Sequence, residues 1–95
     1  MRTGKTSTGF EYQFDEQALD DMRFVDILTA VIDDETPLLD KLHGTAELIR
    51  LLLGDEQKKA LYRHIGEQHG GRVPRADLEK ALEEIMSSSH DVKNS

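Results

Sequence analysis

Apolar residues recur along most of this chain every three or four positions, the spacing that gathers them on one face of a helix. After Asp15 they fall at Ala18, Leu19, Met22, Val25, Leu28 and Ile32, with Phe24, Ile27 and Val31 widening the face beyond one stripe. This predicts a helix over about 16–32 with Asp15 as its N-cap. The acids Asp33, Asp34 and Glu35 oppose the dipole at its C-terminal end. Thr36-Pro37 reads as the next start, an N-cap followed by Pro at the first helical position. Gly44 is expected to interrupt that helix and Thr45 to cap its continuation, so 37–53 forms one kinked helix or two short ones. The Leu51-Leu52-Leu53 run is apolar most of the way round and predicts the most buried helix. Gly54 stops it, Asp55 caps a helix over 56–69, and Gly70-Gly71 ends that one. Residues 75–88 carry the cleanest pattern, with Leu78, Ala81, Leu82, Ile85 and Met86 on one face.

One short segment keeps a different period. In residues 10–14 Phe10, Tyr12 and Phe14 alternate with Glu11 and Gln13, which is a strand signal. A lone strand needs a partner for its backbone, and no second strand is evident. The segment is left to pair with another chain, to lie flat on the helices, or to order on binding. The expected fold is all-α: a small bundle of four to five short helices with an N-terminal extended segment. One domain over 10–86 lies between a flexible lead-in, 1–9, and a disordered tail, 87–95.

Composition narrows the function. The 95 residues contain no Cys, which removes disulfide scaffolds, Cys-type zinc sites and thiol nucleophiles. No run approaches the roughly 20 apolar residues of a membrane span, and Met1–Gly9 lacks the apolar stretch of a signal peptide. The net charge of −7 argues against a phosphate-binding surface. It is uneven: residues 11–35 hold nine acids and one base, a local charge of −8, while the rest is nearly balanced.

The candidate chemistry is thin. His64 and His69 are five apart and so on different helix faces, with no third metal ligand evident. Gly4-Lys5-Thr6 echoes the end of a P-loop without its upstream Gly or strand. Asp33-Asp34-Glu35 lacks the alternation and central Gly of a calcium loop. Ser7, Ser87, Ser88 and Ser89 have no base fixed beside them. A helix-turn-helix reading of 70–86 would set Asp77, Glu79, Glu83 and Glu84 against phosphates. No catalytic, cofactor-binding or metal-binding residue is assigned. The aromatic stripe reads equally as a partner contact and as a cap on the domain's own core. With Leu51 it supplies the candidate positions for partner binding or self-association: Phe10, Tyr12, Phe14 and Leu51.

The order of features resembles a family. Gly9-Phe10-Glu11-Tyr12-Gln13-Phe14-Asp15-Glu16, the acidic helix with Leu19-Asp20-Asp21, Thr36-Pro37-Leu38-Leu39, the run from Leu48 to Gln57, and Gly70-Gly71-Arg72-Val73-Pro74 together look like the small tail assembly chaperones of long-tailed bacteriophages and prophages. The likeness spans residues 9–86. It implies a non-enzymatic helical protein without cofactors that coats the tape measure protein, keeps it soluble and helps recruit tail tube subunits. It also implies self-association, a place in the bacterial host cytoplasm and absence from the finished virion. In the family a longer product is often made by frameshifting. The alternative is another small phage or bacterial helical adaptor, such as a head–tail connector component or an antitoxin-like regulator. Neither reading calls for nucleic acid or a membrane. If the stripe is a contact surface, replacing Phe10 and Phe14 by Ala should weaken association more than folding.

Overall fold

The computed structural model describes the backbone of residues 1–91 and the side chains through Ser87. The chain opens with an antiparallel hairpin, β1 (Arg2–Lys5) and β2 (Glu11–Phe14), in which Thr3 stands opposite Gln13 and Gly4 opposite Tyr12. A 3-10 turn (Glu16–Asp20) leads into helices α1 (Met22–Ile32), α2 (Leu38–Gln68) and α3 (Arg75–Asp91). The protein is thus mostly helical, with three helices where four to five were expected.

The difference in number lies at Gly54. Its φ of +85° and ψ of 166° leave helical space inside the α2 element, so the chain bends there. Only glycine takes that conformation without strain. Gly44, the other expected break, does not interrupt α2. A Cβ there would come within 2.6 Å of Val31 Cγ2 and 3.3 Å of Ile27 Cγ2. The glycine lets α1 approach closely rather than ending a helix. Thr45 likewise does not cap: it is buried mid-helix, and its hydroxyl donates to Lys41 O at 2.9 Å.

The first expected helix starts later than predicted. Asp15 caps only the 3-10 turn, accepting from Gln17 N, and Asp21 caps again, accepting from Arg23 N. Asp side chains bind nearby backbone N–H groups in competition with a continuing helix. At the other end α3 runs on to Asp91, through residues expected in a disordered tail. The rest of that tail, 92–95, lies outside the described residues.

Residues 2–5 are not a lead-in but the missing partner strand. A five-residue loop, 6–10, joins the strands: Thr6 N donates to Phe10 O, Gly9 N to Thr6 O, and Gly9 adopts φ +99°. Gly4 makes room for the Tyr12 ring, since a Cβ there would lie 2.5 Å from the Tyr12 hydroxyl. With this partner the stripe turns inward. Phe10, Tyr12 and Phe14 are buried, Phe14 to 2% exposure, in one cluster with Phe24, Leu48, Leu61 and Ile85. The stripe therefore completes the protein's own core.

Two substitutions test this packing. Phe14→Ala should cost about 3–5 kcal/mol, the usual loss for a buried Phe, read as a lower urea midpoint. The sequence alone led us to expect that losing Phe10 and Phe14 weakens association more than folding; burial of both makes a large loss of folding stability the expected outcome. Gly44→Ala should cost about 1–3 kcal/mol by overpacking, and Val31→Ala in the same chain should recover part of it.

Candidate functional site

Three tethers hold the hairpin on the helices. The Gln57 side chain accepts from Gln13 N at 2.8 Å and donates to Gln13 O at 2.6 Å, so it occupies the outer edge of β2 like a strand neighbour. His64 Nε2 sits 3.2 Å from Thr8 O and 3.1 Å from Thr8 Oγ1. A carbonyl can only accept, so this pairing puts the proton on Nε2. His64 then donates to the loop. Its ring also lies 5.8 Å from that of Phe10. The third tether is Ser7 N, which donates to Glu84 Oε1 at 2.9 Å.

The remaining histidine contact is also a fastening. His69 Nε2 donates to Asp77 Oδ2 at 2.7 Å and ties the end of α2 to the start of α3. Among the described residues no group of three His, Cys, Asp or Glu could hold a metal ion, and no helix is long and apolar enough to cross a membrane.

The concave surface lies elsewhere. Helices α1 and α3 each pack on α2 but barely on each other. The gap between them is an open groove of about 540 Å³, within the range of ligand sites. Leu19, Phe24, Val25, Leu28, Val31 and Ile32 form one wall, Leu82 and Met86 the other, and Thr45 lies between them. Glu79, Glu83 and Ser87 complete the α3 wall.

The cause is the width of the apolar face on α1. Ile27 and Val31 meet α2 over Gly44, and Phe24 is buried. Val25, Leu28 and Ile32 form a second stripe one step round the helix, which the fold covers only in part: Val25 and Leu28 are half-buried and Ile32 is exposed. Ile32 is 70% exposed, and the turn beyond it leaves Leu38 and Leu39 exposed as well. Exposed apolar residues beside an apolar groove mark a contact surface.

The sequence-predicted contact residues thus lie away from this groove. Phe10, Tyr12 and Phe14 are brought together, but in the core, and Leu51 is half-buried against that core. The groove residues carried a signal in the sequence, the widening of the α1 face. Which of its two stripes would stay open depended on where Gly44 admits the neighbouring helix. No family model, curated protein or solved structure matches the chain.

Hydrogen bonds from the Ser7 side chain and backbone hold the Glu84 carboxyl below its usual range. A carboxyl depressed in the folded state adds stability above its unfolded pKa and loses it as pH falls through the folded value. The hairpin anchorage should therefore weaken on acidification below the ordinary carboxylate range. Urea midpoints measured against pH should show this limb flattened in Glu84→Gln, while Asp21 and Glu47, also lowered by their arginine partners, keep the remainder.

Proposed function

We propose that this chain is a small tail assembly chaperone of a long-tailed phage or prophage, acting without catalysis or cofactor. It binds the tape measure protein, keeps it soluble before the tube encloses it, and helps recruit tail tube subunits. It works in the bacterial host cytoplasm, self-associates, and is left out of the finished virion. The observation that carries this reading is the uncovered α1–α3 groove. A helical partner with an exposed apolar ridge needs a surface that covers the ridge reversibly, and an amphipathic helix laid in an apolar groove is a recurring solution. Repeated modest contacts along a long partner supply avidity, and the acidic remainder of the surface keeps the loaded chaperone dispersed.

Co-expression tests the reading. With a long helical tape-measure protein, the chain should raise the partner's soluble fraction and co-purify with it. Ile32→Asp removes an exposed groove residue, so melting should change little. Affinity should fall about tenfold, the equivalent of roughly 1.5 kcal/mol of lost apolar burial. Unchanged partner solubility with the wild-type chain would count against the proposal.

A further inference from the structure

The two walls of the groove differ in character. The α1 wall is apolar throughout, whereas the α3 wall sets Glu79 and Glu83 beside Leu82 and Met86. Glu79 and Glu83 are four residues apart, so they stand one turn above the other on the same face. Among the described residues they are the only charged ones lining the groove, and both are acids. Arg75 reaches Glu79 at 3.7 Å, but the Glu79 side chain stays 42% exposed. Glu83 is exposed. Lys5 and Lys80 do not line the groove; they lie with Glu84 in a hollow that adjoins it through Glu83 and Ser87. At its far end the α1 wall runs from Ile32 into the exposed Asp33, Asp34 and Glu35, where the helix dipole is also negative.

We infer that the occupant of this groove is an amphipathic partner helix whose apolar ridge is flanked, on the side facing α3, by lysine or arginine one turn apart. The inference rests on the proposed function in taking a helix as the bound class, and it adds what that helix must carry. Lysine and arginine suit the site because their stems cover apolar surface while their charged ends stay at the rim. Here the stems would lie over Leu82 and Met86, with the ends at Glu79 and Glu83. A helix with acidic flanks would set like charges together and be rejected. The rim thereby selects among apolar helices that the ridge contact alone would treat alike.

The test uses the full chain and three labelled helical peptides with one leucine ridge and flanks of Lys, Gln or Glu. Binding is read by fluorescence anisotropy at low salt and at about 1 M salt, where screening reaches only about 3 Å. The Lys-flanked peptide should bind about tenfold tighter than the Gln-flanked one at low salt, as expected for two rim ion pairs, and the Glu-flanked one weakest. The order should collapse at high salt and in the Glu79→Gln, Glu83→Gln double variant, with helicity unchanged by circular dichroism. Neutralising two exposed acids outside the groove, Glu56→Gln with Glu67→Gln, should leave the order intact; if it erases the preference as fully as the rim variant does, bulk charge explains it and the inference fails. Equal binding of the Lys and Gln peptides would overturn the inference and leave the groove reading standing. No binding by any of the three would overturn both.

Discussion

Helix α1 rests on α2 at a point where only a hydrogen atom fits, with Val31 and Ile27 over Gly44. That contact fixes the rotation of α1 about its axis, because the residues above the glycine must face inward. Phe24 is buried on the same inward side. Val25, Leu28 and Ile32 then line the groove facing α3, the first two half-buried and Ile32 exposed. A larger residue at 44 would push α1 away from α2 and change which apolar residues remain uncovered. The groove is therefore a consequence of close packing elsewhere and not of a loop shaped around a ligand.

The hairpin does a different task. It closes the core with three aromatic rings in a protein that has only five aromatic residues. An isolated two-stranded hairpin is marginal in water, and this one is held by side chains from α2 and α3 at its edge and its loop. Gln57 satisfies the Gln13 backbone, which otherwise would present an open strand edge. The acidic segment 11–35 also looks different in this light. Asp15, Asp21 and Asp33 each accept from a backbone N–H two residues on. Part of the charge excess thus shapes turns and caps, and the remainder gives the outer surface its sign.

Much of the fold was legible because its helices bury regular faces. Leu78, Ala81, Leu82 and Ile85 are buried as their spacing required, and Gly70 and Gly71 end α2 with positive φ. The strand β1 was hidden for a physical reason: its inward positions are Arg2, Gly4 and Thr6, so no apolar alternation marks it. Glycine at 44 and glycine at 54 look alike in sequence. One serves a neighbour's approach and the other a backbone bend, and only the packing distinguishes them. The aromatic stripe proved to be core for a related cause. Aromatic residues draw attention as surface anchors, yet the hairpin turned them inward, while the open surface came from aliphatic residues in a face too wide for one partner.

The groove between α1 and α3 is proposed as the contact surface for a helical partner. Methyl-resolved NMR titration of the chain with an apolar amphipathic helix tests it most directly. The methyl signals of Val25, Leu28, Ile32, Leu82 and Met86 should shift together and saturate with one affinity, while those of Leu51 and Leu61 stay in place. Perturbation centred on Leu51 and Leu61 with the groove methyls unmoved would contradict it.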